Sequence, residues 1–218
     1  HGGGSNYKMA HTVYLQQCRK PDHMKEGMRK AHAELVERGF MVKLEDLDRT
    51  SRHVIHNAEF LHYYPWRIVA KEDSVSTPIR LVVDPSMTGL NVLLAKGENR
   101  LGNLGGILIR NRTKPYAWSS DISKMYNQLK LNQSALPYSL FLFHPSLDPD
   151  TPPEKYAMTC AWYGVCPSGN QAGYAIEKVV EDAGQTFDMA RVSLTSDRYV
   201  DDIFSGSMTD QGRQEQIE

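Results

Sequence analysis

The sequence predicts an α+β fold, and three observations carry that expectation. Amphipathic helical stretches and short β-type runs follow one another in irregular order. No strand–helix–strand rhythm links them, and no internal repeat or low-complexity segment interrupts them. The chain has 218 residues, 40% hydrophobic and 23% charged, an ordinary globular balance with room for one large or two small domains. No apolar run approaches the ~20 residues needed to span a bilayer, so no membrane partner is expected. Cys18, Cys160 and Cys166 are too few and too unevenly spaced for a disulfide framework or a zinc cluster, which predicts reduced thiols in an intracellular setting.

Taken in order, His1-Gly2-Gly3-Gly4-Ser5 reads as a tag and linker and is set aside (1–5). Asp22 to Arg38 is a helix. Asp22 is placed to cap it, Met24, Met28, Ala31 and Leu35 share one face, and Gly39 follows at the C-terminal stop. Trp66–Ala70 and Ile79–Val83 read as the strands of a hairpin whose tip is the polar stretch Lys71 to Pro78. Leu101 to Arg112 is expected to be helical despite Gly102, Gly105 and Gly106. Tyr116 to Asp121 is a strand that delivers a carboxylate to its end. Tyr138 to His144 and Tyr156 to Tyr163 are two more strands, separated by a Pro/Asp-rich loop. Gln171 to Phe187 is an amphipathic helix with Ala172, Ala175, Ile176, Val179, Val180, Ala183 and Phe187 facing in. Val192 to Val200 and Ile203 to Ser205 read as strands flanking Asp201-Asp202, and Gln211 to Glu218 as the start of a polar helix belonging to a longer chain.

The formal net charge of −1 argues against a simple basic nucleic-acid-binding module. It conceals a split: residues 1–116 hold 18 Lys/Arg and 12 Asp/Glu, and residues 117–218 hold 7 and 14. Chemistry concentrates in Tyr199-Val200-Asp201-Asp202. An Asp-Asp pair alone fits a solvated hairpin tip, but Asp121 ends another strand 80 residues earlier. Should those strands pair, three carboxylates converge, and like charges that close call for a cation. Oxygen-only ligands suit Mg²⁺ or Mn²⁺. Two such ions promote in-line phosphoryl transfer by activating the attacking hydroxyl and stabilising the leaving group. His53, His56 and His62 lack any metal-ligand spacing, Trp118 reads as a core residue, and Cys166 as a small packing residue.

Asp121-Ile-Ser-Lys-Met-Tyr126 followed by Tyr199-Val-Asp-Asp202 resembles the first and third palm motifs of reverse transcriptases. Further segments match in order: Tyr63-Tyr64-Pro65 with Val69 and Lys71, Arg80-Leu-Val-Val-Asp84, Leu90-Asn91 with Lys96-Gly97, and Tyr163-Gly-Val-Cys-Pro-Ser168. In detail the motifs are most similar to those of the BEL/Pao group of LTR retrotransposons, over about Ala31 to Gly206. The resemblance implies a right-hand polymerase: fingers at 6–90 and 130–167, palm at 91–129 and 168–218, with an antiparallel palm sheet backed by helices and no thumb. It implies that Asp121, Asp201 and Asp202, with the Ile122 carbonyl, hold two Mg²⁺ ions, Mn²⁺ being a substitute. The Lys124 and Met125 amides would face the dNTP triphosphate, Tyr126 would be the steric gate against a 2′-hydroxyl, and Arg80 and Lys71 would clamp phosphates. Tyr163 would border the nucleotide, Gly164 would let the backbone approach the templating pair, and Tyr199 would touch the primer end.

The implied partners are an RNA or DNA template with its primer, dNTPs, and the rest of a pol polyprotein, including thumb and RNase H. The implied setting is a cytoplasmic retroelement particle. Tyr163 stands where many retroviral enzymes have Gln, Gly169 where a Pro follows the Ser, and Lys71 lies further from Arg80 than in those enzymes; no metal ligand is lost. The expected activity of so short a piece is weak or nil. The competing classes are a catalytically weak nucleic-acid-binding fragment, a domesticated structural descendant, and a metal-dependent phosphodiesterase. Against the last, no His or Lys is placed to activate water.

Overall fold

The structure, a computed structural model, describes residues 4–70, 79–184 and 188–217. Its elements begin with β1 (Gly4–Ser5), α1 (Tyr7–Cys18), α2 (Asp22–Glu37), β2 (Met41–Lys43), α3 (Arg49–His56) and β3 (Phe60–Leu61). Next come β4 (Trp66–Ala70), β5 (Ile79–Val83), α4 (Leu90–Leu93), α5 (Leu104–Arg112) and β6 (Tyr116–Asp121). The chain continues through β7 (Leu140–Phe143), β8 (Glu154–Met158), α6 (Ser168–Ala183), α7 (Asp188–Ser196), β9 (Arg198–Tyr199), β10 (Asp202–Ser207) and α8 (Asp210–Ile217). Helices and several small, mainly antiparallel sheets make it a mixed α+β chain. It divides into two compact units, His1–Leu94 with Lys130–Cys166, and Ala95–Leu129 with Pro167–Glu218.

In the first unit the order β2-β8-β7 forms an antiparallel sheet, and β4 pairs with β5. Strand β7 reads Leu-Phe-Leu-Phe with no polar alternation, and all four residues are fully buried. Side chains alternate along a strand, so Phe141 and Phe143 enter one cluster with Tyr14, Met28, Trp66 and Tyr156. Leu140 and Leu142 enter a second, with Ile55, Tyr63 and Leu136. The outer edge of β7 is covered as well. Leu140 exchanges main-chain bonds with His62 and Tyr64 at 3.0 and 2.8 Å, and the Trp66 indole donates to the Leu142 carbonyl at 3.0 Å.

Helix α2 packs on β5 and β2, with Met28, His32 and Leu35 buried. Its N-cap is Pro21, so Asp22 is the first helical residue rather than the cap. At the other end Gly39, at φ +69°, closes a Schellman motif: its N–H donates to Val36 and that of Phe40 to Leu35. Gly4 and Ser5, set aside as linker, pair in parallel with Phe60 and Leu61. Tyr138 lies in a 3₁₀ turn, and β7 begins only at Leu140. Strand β8 spans Glu154–Met158, because from Thr159 the main chain bonds to Phe40 and Leu131 instead.

In the second unit the sheet order is β6-β10-β9, antiparallel throughout. Ile203 and Ser205 are buried on the face that α7 and α8 cover: Ser205 bonds Ser193 of α7 at 2.9 Å, and Trp118, half-buried and cross-strand from Ser205, donates to Gln216 of α8. Residues 192–196, expected as strand, are helical. Ser193 is buried against Ser205 of β10, Leu194 is partly buried, and Val192 is exposed. Helix α5 starts three residues later than expected, where the Asn103 side chain accepts from the Gly106 N–H at 3.2 Å and caps it. On α6, Ala172 and Val180 are buried as expected, whereas Val179 is exposed; Phe187 lies outside the described residues. Among the described residues no helix is long and apolar enough to cross a membrane.

Candidate active site

The register between β6 and β10 sets Asp121 directly opposite Asp202. The Ile122 N–H donates to the Asp201 carbonyl at 2.8 Å, so the neighbouring Asp121–Asp202 pair occupies the non-hydrogen-bonded position, where side chains approach most closely. Paired residues share a face. Both carboxylates are exposed, on the side away from the buried Ile203 and Ser205. Like charges in that position oppose strand pairing unless a cation joins them.

Asp201 sits in the turn itself. Tyr199 pairs with Asp202, which leaves Val200 and Asp201 as a two-residue hairpin loop. Val200 has φ +57°, a left-handed conformation that such hairpins ordinarily give to glycine and that a β-branched residue adopts at a cost of about 1–3 kcal/mol. The tight turn keeps Asp201 next to Asp202 and its main chain bonded to Ile122.

Beyond β6 the chain turns sharply. Lys124 has φ +51° and begins a 3₁₀ turn over Met125–Gln128, and the Met125 N–H donates to the Ile122 carbonyl at 3.2 Å. Met125 is buried and anchors the segment. Tyr126 is half-buried, with its hydroxyl 3.7 Å from where a Cβ on Gly169 would stand. Burial first, and the Asp201 carboxylate second, push its phenol above the ordinary value.

Within the second unit, Asp121, Ile122, Tyr126, Tyr199, Asp201 and Asp202 therefore come together at one end of one sheet. Among the described residues no three His, Cys, Asp or Glu side chains are gathered closely enough to enclose a metal ion as they stand. The donor set is nevertheless all oxygen, and the opposed Asp121 and Asp202 set two like charges side by side, an arrangement that a hard divalent cation would relieve. On that chemistry the residues fit Mg²⁺ or Mn²⁺.

The other expected residues belong to the first unit. Arg80 lies on β5 opposite Val69, exposed. Tyr163 is partly exposed, and Lys71 lies outside the described residues. Gly164 has φ +92°, and a Cβ there would stand 2.8 Å from the Val83 carbonyl, so the position excludes any side chain. The Asn91 side chain clips this loop, donating to the Gly164 carbonyl at 2.9 Å and accepting from the Cys166 N–H at 2.8 Å. In the sequence Asn91 stands out only as part of the Leu90-Asn91 segment. Its fixing of the loop depends on contacts some 75 residues apart. Arg198 drew no notice in the sequence, yet its guanidinium is buried behind the acidic hairpin. His62 is also buried, between the Tyr138 carbonyl and the Thr88 hydroxyl, and burial lowers its pKa.

No model of a known protein family matches the chain, and no curated protein matches it significantly.

Proposed function

We propose that the chain is the fingers–palm portion of an RNA-directed DNA polymerase of the reverse-transcriptase type. The observation that carries this is the pairing of Asp121 with Asp202, with Asp201 in the adjoining turn, because it joins carboxylates 81 residues apart in the order and residue context of the palm motifs. The crossings of the chain between its two units, after Leu94, Leu129 and Cys166, lend support, since they fall close to where the resemblance divides fingers from palm.

Divalent ions bound by these carboxylates would acidify a primer 3′-hydroxyl and neutralise charge on the departing pyrophosphate. The protein's part is to orient. Asp121 and Asp202 project from one face of the sheet, Asp201 is held by its turn, and the Tyr126 ring stands beside Asp201 where a sugar would be sorted. In the first unit, Arg80 is an exposed fork for phosphate oxygens, and Gly164 offers a main chain without a side chain for close approach to a base pair.

Extension of a labelled primer on RNA and DNA templates with Mg²⁺ or Mn²⁺ tests this, using this chain and a longer one that continues through a thumb. Asp201→Asn is expected to reduce incorporation at least 10²-fold, equivalent to about 3 kcal/mol of transition-state stabilisation. Undiminished extension by that variant, or none by the longer chain, would sink the assignment.

A further inference from the structure

Arg198 is an arginine only 7% exposed, on the strand that leads into the acidic hairpin. Its hydrogen bonds go to main-chain carbonyls: Nε donates to Leu194 at 3.1 Å and Nη1 to Val200 at 2.8 Å. One guanidinium thus ties the last turn of α7 to the residue at φ +57°. A positive group at a helix C-terminus is favourable, and a planar fork can hold two carbonyls at fixed separation as a lysine cannot. The surroundings are fitted to it. A Cβ on Gly102 would stand 2.9 Å from the Arg198 carbonyl, and one on Gly173 would stand 3.8 Å from Nη2. Nothing in a valine side chain favours the left-handed backbone at 200, so the strain must be offset by contacts elsewhere.

We propose that Arg198 is the positioning residue of the site: by holding the Val200 carbonyl it maintains the strained turn that presents Asp201 and Asp202 to Asp121. The inference rests on the assignment of those three carboxylates as the metal-binding group. It runs against simple electrostatics, because a buried cation near the carboxylates weakens cation binding through space. Loss of Arg198 as a mere charge would tighten metal binding; loss of Arg198 as a clasp loosens it.

The test uses this chain, with Arg198→Met and Arg198→Lys, each with and without Val200→Gly. Amide hydrogen exchange at Ile122 reports the bond to the Asp201 carbonyl, and Mn²⁺ titration followed by electron paramagnetic resonance reports the carboxylates. Both single variants are expected to lower Ile122 protection and Mn²⁺ affinity at least tenfold, with exchange in β4 and β5 unchanged. Glycine adopts positive φ without strain, so Val200→Gly is expected to restore both readouts; a general packing role would not be rescued. Unchanged Ile122 protection, tighter Mn²⁺ binding, failure of the rescue, or unfolding of both single variants overturns the proposal. If the parent chain binds no Mn²⁺ that Asp201→Asn abolishes, the metal assignment fails by itself, and exchange at Ile122 still decides the role of Arg198.

Discussion

His32 is a polar residue in an apolar place. Its ring is 5% exposed, stacks on Phe143 at 3.9 Å and meets Tyr156 edge-on, and Nε2 has no hydrogen-bond partner among the described residues. Burial lowers its pKa from 6.5 to about 4, with Glu154 pulling upward and Lys43 adding to the depression. The folded value lies below the unfolded one, so the unfolded chain takes up the proton first as pH falls. Stability contributed by neutral His32 is complete above about pH 6.5 and drains away down to about pH 4. Between pH 7.5 and 4.5 the loss should be about 2–3 kcal/mol, and His32→Leu should remove that part of the pH dependence. Urea melts of both proteins at the two pH values measure it; equal pH dependence would refute the assignment. Val200 poses a related question at the same scale, since its cost is a matter of backbone rather than solvation. Neither feature is visible in the sequence: a histidine on a helix face and a valine before two aspartates look ordinary until their surroundings are known.

At the scale of elements, local patterns were sufficient where one residue type dominates a turn. Gly39 stops α2 as expected. A Cβ there would meet nothing within 4 Å, so Gly39→Ala should cost only the backbone penalty of a left-handed residue, about 1 kcal/mol, read as a shift in urea midpoint. A loss above 3 kcal/mol would point to a packing role instead. Strands β4, β5 and β6 begin and end where the apolar runs and their flanking residues place them. The failures share a cause. Val192 and Thr195 carry strand propensity, but the buried Ser193–Ser205–Asp197 network and the cover of β10 demand a helix there. Strand β8 stops at Met158 although Cys160, Ala161 and Trp162 are apolar and buried, because their main chain has other partners. Pattern along a chain reports burial; it does not report which main-chain groups supply the hydrogen bonds.

For the whole molecule, the charge split between sequence halves does not survive folding. The chain crosses between units three times, and counted by unit the balance is 15 Lys/Arg to 14 Asp/Glu in the first and 10 to 12 in the second. Neither unit carries a large net positive charge to draw in a polyanion, so on the proposed function salt-sensitive template binding would come from individual contacts. Arg80→Ala should therefore reduce the slope of log K against log salt by about 1, measured by fluorescence anisotropy with a labelled primer–template. An unchanged slope would remove Arg80 from the phosphate contacts. By itself the sequence determined the mixed α+β character, the glycine stop of α2 and the ends of three strands, because these depend on neighbours within a few positions. Only the tertiary structure decided that Asp121 faces Asp202, that Val200 turns left-handed, that Asn91 fixes the Gly164 loop, and that Arg198 backs the hairpin. Register and burial join residues far apart in the chain, and their energies are set by partners that no local pattern names.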